Sequence, residues 1–182
     1  SAASDVYKRQ DLERLAPALQ QIGPPLRLVF NCSGRLHGPG LQPEKRLTQL
    51  TRESLMEQFA INAFAPVLLA KAVEPLLERN RPFHFASLSA RVGSITDNRS
   101  GGWYSYRAAK SAQNQLLKTL SIEWSRRWPN ATVTLLHPGT TDTALSKPFQ
   151  SFVPPEKLFP PERAADQPVS YTHLRAHETR IH

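Results

Sequence analysis

The chain predicts an α/β fold, a doubly wound parallel sheet, and three observations carry that expectation. Three short apolar runs are separated by long helical patterns, in the order helix–strand–helix–strand–helix–strand. None of the runs alternates cleanly between apolar and polar residues, as expected of strands buried on both faces. Each run also ends in small or polar residues with a glycine among them, at the carboxyl ends of strands where open α/β sheets bind ligands.

The elements follow in order. "DLERLAPALQQI" (11–22) predicts a first helix, stopped by Gly23 and two prolines. "LRLVF" (26–30) predicts the first strand and runs into "NCSG" (31–34). Residues 52–79 carry the first long helical pattern, with Thr51 as N-cap and Ser54 as the alternative. "FHFASLS" (83–89) predicts the second strand and leads into "SARVGS" (89–94). The second long helical pattern covers 104–128, and "TVTLL" (132–136) predicts a third strand ending in "HPGTTDT" (137–143). Beyond it, Pro148, Pro154, Pro155, Pro160 and Pro161 punctuate an aperiodic segment, read as a long surface loop over a site, with "PPERAA" starting a further helix.

Composition narrows the function classes. With 182 residues, 40% of them hydrophobic, the chain reads as one domain able to bury a core. No run approaches the ~18–20 apolar residues of a membrane span, and no secretory signal is visible, so no membrane partner is expected. The single cysteine, Cys32, excludes an internal disulfide and suits a reducing, cytoplasmic compartment. The formal net charge is +8, but the charges are interspersed, as in "EWSRR" and "EKR". That pattern predicts a solvated surface and no nucleic-acid partner.

The two ends differ from the rest. "SAASDVYKRQ" (1–10) and "VSYTHLRAHETRIH" (169–182) share no periodicity with their neighbours. "DVYKRQ" and "VSYTHL" match in-frame translation of the two ends of a transposon-type sequencing adapter, so both ends are set aside as adapter-derived. The domain is then expected in 11–168 and is not expected to be complete.

Two features point to chemistry. Residues four apart on a helix lie ~40° apart around its axis and residues six apart ~240°, so Tyr106 shares a face with Lys110 and Tyr104 does not. Pro66, inside the first long helix, has no N–H to offer the carbonyl of Asn62. The freed carbonyl would give an ordered water a place to bind, the alternative being a tolerated helix proline beside an incidental asparagine.

Asn62, a serine after a buried strand, Tyr106-x-x-x-Lys110 and "PGTTDT" together resemble the short-chain dehydrogenase/reductase family, over essentially all of 11–168. "SARVGSI", "DNRSGGWYSYRAAKSAQNQLLKTLSIE" and "LHPGTTDT" look most like its C-factor-like and sniffer-like carbonyl reductases. The resemblance implies a truncated Rossmann-like domain and hydride transfer between NADP or NAD and a small carbonyl or alcohol substrate. Tyr106 would be the acid–base group, Lys110 would lower its pKa and bond the nicotinamide ribose, and the Asn62 carbonyl would hold a linking water. "NCSG" stands for the family's Asn-Asn-Ala-Gly, placing Asn31, Ser33 and Gly34 beside the adenosine ribose. "PGTTDT" matches Pro-Gly-x-Val-x-Thr, placing Pro138, Gly139, Thr141 and Thr143 near the carboxamide and pyrophosphate. The two long helices resemble those through which family members assemble, so a homo-oligomer of the full-length protein is expected.

Two departures stand out. The place of the family's catalytic serine is Ala90, and Ser89 takes over its role only if the backbone there leaves strand geometry. The family's Gly-x-x-x-Gly-x-Gly turn is absent from 11–168, along with the N-terminal cofactor-binding strands. The 182 residues alone are therefore expected neither to fold stably nor to turn over substrate. A nucleotide-binding, weakly catalytic signalling protein of the C-factor type, on the same fold, is the alternative.

Overall fold

The computed structural model describes residues 9–166 and 170–173. Helix α1 (Arg9–Ile22) precedes strand β1 (Leu28–Asn31). A long helical stretch follows, made of α2 (Arg52–Phe59), one wide turn at Ala60–Phe64, α3 (Ala65–Val73) and a 3₁₀ turn at Glu74–Leu76. Strand β2 (Phe83–Leu88), α4 (Tyr104–Arg127) and β3 (Ala131–His137) complete the alternation. The α/β expectation holds, and the three predicted strands fall within two residues of their expected bounds.

The sheet order is β1-β2-β3-β6, with β6 formed by Ser170–His173. β1 pairs with β2 and β2 with β3 in parallel, Phe30 opposite Ala86 and Phe85 opposite Val133. Parallel pairing requires a long crossover, and the α2–α3 stretch and α4 supply the two needed. β6 runs antiparallel along Thr134–His137 and lies within the C-terminal residues where the sequence pattern predicts no element. β1 forms the other edge, with Leu28 and Phe30 about half exposed.

Thr51 caps α2 as expected. Its hydroxyl accepts the Ser54 N–H at 3.0 Å, and the Ser54 hydroxyl accepts the Thr51 N–H in return. The proline-rich segment is more ordered than its aperiodicity implies. The two-residue strands β4 (Thr140–Thr141) and β5 (Leu158–Phe159) pair in parallel and close it into a loop, and α5 (Pro161–Asp166) follows. The stretch Arg52–Leu76 is long and apolar enough, by length and composition, to cross a membrane. In this fold its Ile61, Ala65, Ala70 and Val73 are buried.

The core lies between the sheet and α4. Fully buried Trp124 meets Phe83 and Phe85 edge-on, with ring centroids at 5.7 and 6.1 Å. Its indole N–H donates to Glu74 Oε2 at 3.0 Å, so the polar end of the ring is satisfied. Trp124→Ala is expected to cost about 3–5 kcal/mol of unfolding free energy, the range for deleting a large buried aromatic ring. Denaturant unfolding of the full-length protein measures it, and a loss under about 1 kcal/mol would contradict this account of the core.

Candidate active site

Helix α4 starts from a constrained turn. Gly101, Gly102 and Trp103 all have positive φ, at 62°, 65° and 52°. Trp103 pays the steric cost that a non-glycine residue meets there. Glu44, 2% exposed, holds the turn: its carboxylate accepts the Ser105 N–H and the Ser54 hydroxyl, and its main-chain carbonyl accepts the Trp103 N–H. Burial alone would push the Glu44 pKa up, but these hydrogen bonds outweigh it and hold the group below its usual range.

One turn further on, Tyr106 and Lys110 face the same side, 6% and 3% exposed, with Lys110 Nζ 5.9 Å from the Tyr106 ring centre. Tyr104 is on the exposed side, as the helical angles require. The electrostatics differ from the expected lowering of the tyrosine pKa. Burial pushes Tyr106 up to about 12 and Lys110 down to about 8. At neutral pH the phenol therefore keeps its proton, and the amine is still mainly an ammonium.

That ammonium is held from the strand side. Lys110 Nζ donates to the Leu88 carbonyl at 3.1 Å and to Gln113 Oε1 at 3.0 Å. Gln113 Nε2 donates to Ser87 Oγ and to the same Leu88 carbonyl. Ser87 Oγ also accepts Asn31 Nδ2 at 2.8 Å, while Asn31 Oδ1 takes the Ser33 N–H and hydroxyl. A continuous buried network thus joins loop 31–34 to the lysine. Gly34 lies against it: a Cβ there would come 3.5 Å from Asn62 Oδ1 and 3.8 Å from Lys110 Nζ.

Asn62 sits in the wide turn at Ala60–Phe64, where the Ala65 N–H reaches back five residues to the Ala60 carbonyl. This π turn accommodates Pro66 and leaves the Asn62 carbonyl without its usual i+4 amide. The side chain has a role the sequence did not indicate. Fully buried, it donates to the Arg35 carbonyl and accepts the Arg35 N–H, pairing with that residue as a strand would. Gln58, one turn earlier, supports it through Oε1 and donates to the Leu36 carbonyl.

Ser89 is committed to α4 at Asn114, two turns beyond Tyr106. Phe85, Ser87 and Ser89 alternate onto the α4 side of β2, and the Ser89 hydroxyl donates to Asn114 Oδ1 at 2.7 Å. Ala90 keeps an extended backbone, φ −149° and ψ 149°, so the departure from strand geometry that would redirect Ser89 does not occur.

After β3, residues 138–143 lie at the same rim. Gly139 has φ 77°, which permits the turn between β3 and β4. His137 Nδ1 and Thr141 Oγ1 are buried without a hydrogen-bond partner. Burial, then the charges of Lys110 and Arg91, keep His137 below its usual pKa. Thr143 is exposed and its hydroxyl turns back to the Thr141 carbonyl. The following loop folds over the site: His37 Nε2 lies 3.1 Å from the carbonyls of Ala144 and Leu145, acceptors that require its proton on Nε2. Phe149 meets the Trp103 ring at 5.0 Å and the His37 ring at 5.8 Å, while Trp103 stands edge-on to Tyr106 at 6.3 Å. An aromatic wall beside a buried phenol results. Among the described residues no cluster of His, Cys, Asp or Glu has the makings of a metal site. Two open hollows lie elsewhere, one of them lined by Arg27, His84, Asn130 and Thr132, away from this chemistry.

Most of the predicted residues therefore converge, and the supporting ones were the ones missed. Gln58 lies four residues before Asn62 and Gln113 three after Lys110, spacings that place each pair on one helical face. No local pattern pointed to Glu44 or His37.

Comparison with known proteins agrees with the geometry. The profile of the family described as enoyl-(acyl carrier protein) reductase, a short-chain dehydrogenase branch, matches residues 2–165. The chain is 34% identical over 156 residues to 1-hydroxy-2-glutathionyl-2-methyl-3-butene dehydrogenase of Rhodococcus sp. (strain AD45), covering 84% of this chain and 65% of that protein. It is 33% identical over 101 residues to the C-signal protein of Myxococcus xanthus, covering 55% and 59%. The structure of the carbonyl reductase Sniffer of D. melanogaster superposes with a TM-score of 0.63 at 26% identity, covering 74% of this chain and 57% of that one. The chain thus spans less than two-thirds of the length of each. With one profile running through β1, β2, α4 and β3, and the Tyr106–Lys110 pair seated where those strands end, the chain belongs to the short-chain dehydrogenase/reductase family.

Proposed function

We propose that this chain carries the acid–base half of an NADP- or NAD-dependent carbonyl reductase or alcohol dehydrogenase. The observation that carries the reading is the burial of Tyr106 and Lys110 on one face of α4, with Gly34 of loop 31–34 against Lys110 and His137, which leads into residues 138–143, within its electrostatic reach. The site has features that fit a nicotinamide nucleoside. Gly34 leaves space beside Lys110 that a Cβ would fill, Thr141 Oγ1 and His137 Nδ1 are buried donors or acceptors without partners, and Lys110 has used two of its three N–H groups. Asn31, Ser33, Gly34, Lys110 and the 138–143 turn would hold the group, which supplies or accepts the hydride when bound.

The protein's own part is the proton. Tyr106, kept protonated by burial, donates to a carbonyl oxygen as negative charge develops on it. The Lys110 ammonium beside it stabilises the phenolate left behind. In the reverse direction the phenol must first lose its proton, so the resting state favours carbonyl reduction over alcohol oxidation near neutrality. The wall of Trp103, Phe149 and His37 favours a small, apolar carbonyl compound. Assembly as a homo-oligomer of the full-length protein, in the cytoplasm, belongs to the same reading.

The second reading, a nucleotide-binding protein with little turnover, is favoured by the methyl group at Ala90 and the Ser89 hydroxyl committed to Asn114. It predicts binding of NADPH or NADH by the full-length protein with no aldehyde-dependent oxidation of either.

Two measurements test the reductase. Tyr106→Phe in the full-length protein is expected to lower aldehyde-dependent oxidation of NADPH or NADH by about 10²–10⁴-fold with little change in cofactor affinity, and wild-type-like turnover would exclude Tyr106 as the acid. Reduction is also expected to decline as pH rises through about 8, where Lys110 loses its charge. Oxidation of the alcohol should instead rise with pH, as the phenolate becomes more accessible. A reduction rate independent of pH across this range would contradict the assigned role of Lys110.

A further inference from the structure

Lys110 is buried and charged, yet no carboxylate bonds it. Its protein partners are two neutral oxygens, the Leu88 carbonyl and Gln113 Oε1, and the second belongs to a side chain that is itself fully buried. The orientation of that amide is not free. An ammonium only donates and a carbonyl only accepts, so Oε1 must face Lys110 and Nε2 must face Leu88. Nε2 reaches Ser87 Oγ at 2.9 Å as well, and Ser87 uses its second lone pair for Asn31 Nδ2. Every polar atom of the Gln113 side chain is therefore used, in a place where an apolar side chain would pack without these demands.

We infer that Gln113 is a positioning residue for the reaction: its carbonyl oxygen fixes the Lys110 ammonium, and its amide nitrogen ties that ammonium to β2 and, through Ser87 and Asn31, to loop 31–34. Gln113 touches neither Tyr106 nor any reacting atom. It acts by supplying the acceptor that water would provide to an exposed lysine, in a direction fixed by the strand. The consequence is a link between the loop assigned to the cofactor and the charge beside the phenol. A displaced Asn31 alters the bond to Ser87, and Ser87 shares that oxygen with Gln113.

Titratable or charged groups stand on the elements near the ammonium. Tyr106 lies on its own helix, His137 at the end of β3, Arg91 in the turn after β2, and Cys32 in loop 31–34, its thiol pushed up by burial. On the α2 side Arg35 is paired with Glu57. None of these bonds Lys110 Nζ, so Gln113 is the side chain whose exchange tests the idea.

The inference rests on the proposed reaction for its meaning, but its test does not need turnover. In full-length protein with ¹³C-labelled lysine, the pH titration of the buried Lys110 Cε resonance, assigned by its loss in Lys110→Arg, reads the charge directly. Gln113→Leu is expected to move the midpoint down by roughly one to two pH units, since a hydrogen bond to a charged group is lost. Gln113→Glu, nearly isosteric, is expected to move it up. The high-pH limb of carbonyl reduction should shift in the same two directions, and Gln113→Leu should also weaken NADPH or NADH binding. Unchanged midpoints in both variants would overturn the proposal. If Gln113→Leu fails to fold, Gln113→Glu decides alone, with an unmoved midpoint counting against it. Should Tyr106→Phe retain full activity while the midpoints shift as expected, the reductase reading falls and the positioning role of Gln113 stands.

Discussion

An ammonium shut away from water has to be solvated by the protein, and much of this fold's local geometry follows from how Lys110 is solvated. An isolated buried charge costs several kcal/mol even after relaxation, which is why the lysine's proton is held less tightly than in water. The compensation comes from the end of a strand and one turn of a helix. β2 stops at Leu88, leaving a carbonyl that accepts two side-chain donors, and α4 brings residues 110 and 113 to it together. The helix must come close for this. A Cβ at Gly93 would stand 2.9 Å from the Lys110 main-chain carbon, so only glycine lets the turn after β2 lie against α4 at that point. Solvation of one cation thus fixes a strand end, a turn and a helix position.

How much of this was legible in the sequence depended on the range of the interaction. The strands and helices were readable because their signals are local: apolar runs, helical spacing, Thr51 as a cap, Gly23 as a stop. Tyr106 and Lys110 were readable for the same reason, as neighbours on a helical face, and Asn62 because Pro66 four residues on leaves its carbonyl unpaired. Glu44 was not, since it meets Ser105 across 61 residues of chain. The direction of the Tyr106 pKa was not legible either. The spacing to Lys110 suggested stabilisation of the phenolate, but burial, which only packing determines, outweighs a cation whose hydrogen bonds go to Leu88 and Gln113. Strand β6 lay in residues to which the pattern gave no role.

The family resemblance and the geometry part at residues 89–90. The family carries a hydroxyl at the place of Ala90, and the neighbouring Ser89 is turned by the pleat toward Asn114. Single oxyanion donors are commonly worth about 10²–10³-fold in rate, so under the proposed function the methyl group at Ala90 favours slow turnover without altering the fold around it. The remaining machinery is unaffected. The helix start held by Glu44, the π turn that places Asn62 and the aromatic contacts of Trp103 all stand independently of the missing hydroxyl.

The wide turn at Ala60–Phe64 bears on how this region tolerates change in length. A π turn takes about one residue more than an α turn to bring the chain round, so losing one residue from it would restore ordinary winding and leave α3 facing nearly as before. Ala70 and Val73 would stay in the interior, while the wide turn that presents the side chain at 62 to the backbone of Arg35 would be gone. Surface loops absorb small deletions readily. A single codon removed in frame here would likewise keep the two helices aligned, so the extra residue of the turn serves the placing of Asn62 and not the packing of α3.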